Sequence, residues 1–380
     1  MIYLDNSATT RLDDHVLEAM LPWLREDFGN ASSVYSMGRK ARVAIEDARE
    51  ELAHLIGAHP AELIFTSGGT ESNNAVLKSM CQAGAVKQLA VSGIEHHAVL
   101  HPAQELAREG KGIGVHILPV NEHGFVESWE VQPLNSAQTL ISIMHANNET
   151  GAIQPLTELR AAAPDAYFHT DAVQTFGKIP LDCTALGLDF ATLSAHKIHG
   201  PKGIGALFIR KGIDFKAHQH GGAQERNRRA GTESPALIAG FQAAARAACK
   251  EMDTRAAQML VCTQLLRELL LENVPLLRFN TPLDEHSALP NIVNISFLDA
   301  EKLDGEAILQ AMDMRGIAVS NGSACVSGSL QPSHVLVAMS RADAEAKAAV
   351  RFSVSKDTRT EEIRGAVEVL RVILQEMREE

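Results

Sequence analysis

Phe190-Ala191-Thr192-Leu193 runs directly into Ser194-Ala195-His196-Lys197, and then into Ile198-His199-Gly200-Pro201-Lys202-Gly203. The first four residues read as a short buried strand, and the glycines and proline behind them end it in a turn. A lysine at such a strand end sits beside a hydroxyl and two histidines. Burial there can strip its proton and leave an amine able to form a Schiff base with an aldehyde. A solvated loop lysine does none of this, so the reading depends on what the rest of the chain places around it.

The same alternation extends outward on both sides. Strands are predicted at 62–66, 87–91, 113–118, 139–144, 166–169, 190–193 and 205–209, with helices between most of them. Ala41, Ile45, Ala48, Leu52 and Leu55 carry clear helical spacing. The pattern predicts an α/β fold, a mainly parallel seven-stranded sheet covered by helices. Ser234-Pro235 is a helix start, N-cap then proline at the first helical position, and the helix is expected to run to about Arg255. Beyond it, Asn291–Phe297, Lys302–Met314, Val350–Val354 and a last helix from Glu361 suit a small α+β domain. The expected division is 1–15 joining the small domain, 16–255 as the large domain and 256–380 as the small one.

Other stretches supply the partners that an aldehyde cofactor needs. Tyr167-Phe168-His169-Thr170-Asp171 reads as a buried strand ending in a carboxylate, with Gln174 three residues on. Asp171 there serves either as a helix N-cap or as the acid that pairs with a protonated ring nitrogen. Ser67-Gly68-Gly69-Thr70 follows a strand and opens a helix, so its backbone N–H groups favour an anion such as a phosphate. It is not a Walker loop, because no Gly-Lys-Ser/Thr follows. His96, after the strand at 87–91, can stack on a ring and carry protons. His97 and His101 have the i, i+4 spacing of metal ligands, but no HExxH motif or paired cysteines accompany them. Together these features point to pyridoxal phosphate.

The chain resembles the cysteine desulfurases of the NifS/IscS type, fold-type I pyridoxal phosphate enzymes of aminotransferase class V. The resemblance rests on Tyr3–Thr10, Gly29–Ser33, Thr66–Asn73, Glu95–Leu100, Met144–Glu149, His169–Gln174, Ser194–Gly205, His220–Thr232, Ser320–Pro332 and Val350–Ser353. It implies that Lys197 holds the cofactor as a Schiff base and that Asp171 pairs with the ring nitrogen. Gln174 would meet the ring oxygen and His96 would stack on the ring. Gly69, Thr70, Ser194 and His196 would hold the phosphate. Thr232 would reach the phosphate of a neighbouring subunit in a homodimer. Asn148 would also contact the cofactor, and Asn148 and Arg351 would take the substrate carboxylate, a role that the bidentate fork of arginine suits. Ala31 and Ala230 depart from the family pattern, where a proline and a serine are common, without removing a functional group. The chain stops soon after its last predicted helix, which leans the resemblance toward NifS rather than toward IscS with its longer tail.

Ser320-Asn321-Gly322-Ser323-Ala324-Cys325-Val326-Ser327-Gly328-Ser329 fits neither helix nor strand. It reads as a loop of small polar residues on which a thiol can travel. By the resemblance Cys325 takes sulfur from L-cysteine as a persulfide, leaving L-alanine. An iron–sulfur scaffold or another acceptor protein would then receive it. No catalytic metal is expected, although Cys325 could ligate a transferred iron–sulfur cluster. Alternatives are another fold-type I lyase, such as one acting on selenocysteine, and a non-catalytic sulfur carrier.

Composition agrees with this reading. The formal charge of −12 disfavours nucleic acid and anionic membranes as general partners. No apolar run approaches the ~20 residues of a membrane span, and the first residues lack the basic region of a signal peptide. The five cysteines are scattered, odd in number and without CxxC, which points to a reducing cytoplasm.

Overall fold

The computed structural model describes residues 1–82, 84–109, 112–284, 286–322 and 331–379. All seven predicted strands form one sheet. Its order is Leu63–Thr66, Gly205–Ile209, Phe190–Ser194, Tyr167–Asp171, Thr139–Ser142, Gln88–Ser92 and Gly114–Leu118. Only Gly205–Ile209 runs against its neighbours. The strands are apolar on both faces because both are covered. Phe168, Ala191 and Phe208 enter a core shared with the helices Ser36–Leu55 and Pro235–Lys250. Their chain neighbours Tyr167, Phe190 and Leu207 point the other way, toward the helices Gly69–Gln82 and His97–Arg108.

A second core lies around an antiparallel sheet ordered Val350–Ser353, Ile292–Phe297, Leu277–Phe279. It includes Leu266, Phe297, Phe352 and Leu370. The helix expected to run to about Arg255 is instead two, Pro235–Lys250 and Met252–Asn273. Neither glycine nor proline marks the break; packing decides it. The first helix buries Ile238 and Phe241 in the large-sheet core, and the second turns Met259 and Leu266 into the other.

The first ten residues tie the two parts together. Ile2–Tyr3 pairs in parallel with Ile317–Ala318, and the Asn6 amide N–H donates to Ser353 O at 3.1 Å. Thr10 N then donates to His196 O at 3.0 Å, in the lysine turn. Among the described residues no helix is long and apolar enough to cross a membrane.

Two histidines are locked into the sheet core. His169 bonds Ser142 Oγ at 2.8 Å and Thr192 Oγ1 at 3.1 Å, and His145 bonds Thr175 Oγ1 at 3.0 Å. Burial lowers the pKa of His169 to about 3 and that of His145 to about 4. An unfolded histidine titrates near ~6.5, so the unfolded chain binds protons first as pH falls. The stability these rings hold at neutral pH is therefore lost from ~6.5 down toward those lower values. Denaturant unfolding of the cofactor-free chain should show about 2–3 kcal/mol less stability at pH ~5.5 than at pH ~7 from these two rings. Equal stability at both pH values would contradict their neutral burial.

Candidate active site

The parallel strands Phe190–Ser194, Tyr167–Asp171, Thr139–Ser142 and Gln88–Ser92 are consecutive neighbours in the sheet. Their C-terminal ends deliver Lys197, Asp171, Asn148 and His96 to one side, where open α/β sheets place ligands. A cleft of about 490 Å³ opens there, a volume that suits a cofactor with its substrate. Gly69, Thr70, His96, Asn148, Asp171, Gln174, Ser194, His196, Lys197 and Arg351 all line it. Thr232 does not: it lines a separate cavity of about 200 Å³ beside Arg229 and Glu225. Cys325 lies outside the described residues, but Ser320 and Gly322, just ahead of it in the chain, reach the cleft wall.

Lys197 ends a single turn after its strand. Its Nζ donates to Ser7 O at 2.5 Å and Ala8 O at 2.7 Å. Burial and then the Arg351 charge depress its pKa to about 8, against the pull of Asp5 and Asp171. A substantial fraction of a lysine so placed is neutral near physiological pH, as a nucleophilic amine requires.

Asp171 is oriented from two sides. Its Oδ2 accepts from Asn73 Nδ2 at 2.6 Å, and its Oδ1 accepts from Val173 N at 2.9 Å. The second bond resembles the cap interaction weighed for it from sequence, yet the carboxylate also faces the cleft.

The anion cradle rests on close backbone approach. Gly68 has φ +149°, and a Cβ on Gly69 would meet Val173 Cγ2 at 2.8 Å. The helix Gly69–Gln82 starts there and presents its first N–H groups. Ser194 Oγ is buried with no hydrogen-bond partner. Burial, with the charges of Lys197, Lys202 and Lys178, lowers His196 to about 4. A neutral His196 and an unpartnered hydroxyl are groups that a phosphate satisfies.

His96 caps the helix His97–Arg108, its Nδ1 accepting from Ala98 N at 3.0 Å. The neutral ring therefore carries its proton on Nε2. Burial lowers its pKa, partly offset by Asp171. Arg351 donates to Asp5 Oδ1 at 2.6 Å and to Asn148 O at 2.9 Å. Its buried Nε has no partner.

The sequence reading gave no role to Asp5, Ser7 or Asn73, although it quoted the segments that hold them. Only the tertiary bonds reveal what they do. Asn73 lies one turn after Gly69, on the cleft side of its helix, and that spacing was the available signal. The carboxylate, the anion cradle and the depressed lysine together fit pyridoxal phosphate, which Asp171, Ser194, Gly69, Thr70 and Lys197 would hold.

Residues 2–365 match the family model described as aminotransferase class-V. The chain is 44% identical to a cysteine desulfurase IscS of Dictyoglomus turgidum, over 99% of this chain and 95% of that protein. It is 42% identical to one of Methanosarcina thermophila, over 99% and 93% respectively. Among solved structures, a NifS-like protein superposes with a TM-score of 0.90 at 36% identity, covering 98% of this chain and 99% of that one. A structure titled SspA in complex with cysteine matches with a TM-score of 0.80 at 33% identity, over 93% and 99%.

Proposed function

This chain belongs to the aminotransferase class-V family, and from that premise we propose how its cleft works as that of a pyridoxal phosphate-dependent cysteine desulfurase. The enzyme converts L-cysteine to L-alanine and retains the sulfur for transfer to iron–sulfur assembly. The observation that carries this is the depressed Lys197 amine in one cleft with Asp171, beneath the segment leading to Cys325.

Bound there, pyridoxal phosphate supplies the electron sink that weakens bonds at the substrate α-carbon. Lys197 would hold the cofactor through its Nζ, and the same amine would move a proton to and from the substrate α-carbon. Asp171, fixed by Asn73 and Val173, would keep a proton on the cofactor's ring nitrogen. Arg351 binds the substrate carboxylate through its free Nε edge, while Asp5 and Asn148 O set its orientation. The Cys325 thiolate attacks the substrate sulfur, forming the S–S bond as the C–S bond breaks, and a proton then completes alanine. His96 would cover the cofactor ring, and it offers Nε2–H to the cleft. The proton-acceptor role considered for it from sequence needs the other tautomer, in which Ala98 N–H loses its acceptor.

Alanine formation from L-cysteine tests the whole reading. Arg351→Ala should raise the KM for cysteine by roughly 30-fold or more, since losing a charged partner of a buried carboxylate costs about 2–5 kcal/mol. An unchanged KM would place the carboxylate elsewhere, and no alanine from the wild type would overturn the function.

We also propose a homodimer in which Thr232 reaches the partner's phosphate. Its position outside its own chain's cleft supports this. An active monomer in light scattering would refute it. The break between Lys250 and Met252 supports the proposed boundary near 255. The sulfur acceptor is proposed to be an iron–sulfur scaffold or similar protein in the cytoplasm.

A further inference from the structure

Lys178 is buried beneath the cleft and none of the chemistry above uses it. Gly177 turns it inward: its φ is +72°, and a Cβ there would meet Ala248 Cβ at 2.8 Å. Lys178 Nζ donates to Gln174 O at 3.0 Å and to Gln174 Oε1 at 3.4 Å. The other end of that amide, Nε2, donates to Ser7 O at 3.0 Å, the same carbonyl that accepts from Lys197.

No carboxylate pairs with Lys178 among the described residues. Beside it lies a cavity of about 20 Å³, room for roughly one water. Its charged and titratable walls are Lys178, Lys197, His199, Arg255 and Lys356, with no acid among them. Arg255 and Lys356 have acids elsewhere, Glu251 at 2.9 Å and Asp13 at 3.1 Å, and His199 lies 3.6 Å from Asp13. Asn291 also faces this cavity, with both polar side-chain atoms unpartnered. The cavity, though lined mainly by apolar surface, sets Asn291 and room for about one water beside Lys178.

We propose that Lys178 is a positioning residue of the active site: its ammonium fixes Gln174 with the carbonyl end turned inward, which commits the N–H end to Ser7 and the cleft. An ammonium has three donors and no acceptor, so only Oε1 can face it. A neutral amine also accepts, and then the amide can turn over. Burial and the Lys197 charge bring Lys178 to about 7, so this proton is exchangeable under working conditions. The inference rests on the reading above, in which Gln174 meets the cofactor's ring oxygen. A donor aimed at that oxygen favours its anionic form, and so lowers the pH at which the Lys197-linked cofactor loses its proton.

The test is the visible-absorbance pH titration of the holoenzyme. Lys178→Met, or Lys178→Leu if the first does not fold, should move the midpoint upward by about one pH unit. In a Gln174→Met background the same change should add nothing. An unchanged midpoint, or a shift that simply adds to that of Gln174→Met, overturns the proposal. NMR of the cofactor-free chain labelled at lysine Cε supplies an independent reading. The resonance missing from the Lys178 variant should titrate near pH 7, and full protonation above pH ~9 overturns the exchangeable latch. A wild type that takes up no cofactor brings down the cleft reading and this proposal together. A normal holoenzyme with an indifferent Lys178 brings down only the latter.

Discussion

Lys197→Ala should reduce turnover of L-cysteine by at least ~10³-fold, because one side chain supplies both the covalent link and the proton shuttle. The variant should still bind pyridoxal phosphate, since Asp171, Ser194 and the Gly69 helix start do not depend on the amine. Borohydride reduction of the wild type should leave the cofactor on Lys197, and on no lysine of the variant. An adduct on Lys202, or near-normal turnover by the variant, would assign the chemistry to another amine.

Cys325→Ala should lose sulfide and alanine production from cysteine by a comparable factor while keeping the bound cofactor and its spectral response to substrate. Elimination among the described cysteines supports this. Burial pushes Cys81 and Cys249 up to about 11, and raises Cys183 and Cys262 as well. All four therefore resist forming the thiolate that sulfur transfer needs. Mass spectrometry after one turnover should find the added sulfur on Cys325. Finding it on Cys81 or Cys249 would assign the sulfur-accepting thiol to another residue.

The fold was legible wherever the residues that decide it are near in sequence. Phe190–Leu193 and Tyr167–Thr170 are short apolar runs bounded by turns, and strands bounded this way survive tertiary packing with little change. The break after Lys250 was not legible, because two distant cores, not local propensity, pull the helices apart. The site divides along the same line. Lys197, Asp171 and Ser194 stand at strand ends, where position already implies direction. Asp5 and Asn73 act through bonds to Arg351 and Asp171 that join distant parts of the chain. The pairing of Asp5 with Arg351 leaves Nε as the free edge, a detail that spacing cannot carry.

The amino-terminal tie has a consequence for how the molecule is made. Ser7 N bonds Ser353 Oγ, a partner 346 residues away, and the next carbonyls receive Lys197. During synthesis at ~5–20 residues per second, the first ten residues wait roughly 20–70 s for that partner to leave the ribosome. A growing chain already contains its reactive lysine but lacks the second sheet that fixes the carbonyls gripping it. The cleft is thus completed only once Ser353 has been made, so a product cut short before it cannot assemble a working site.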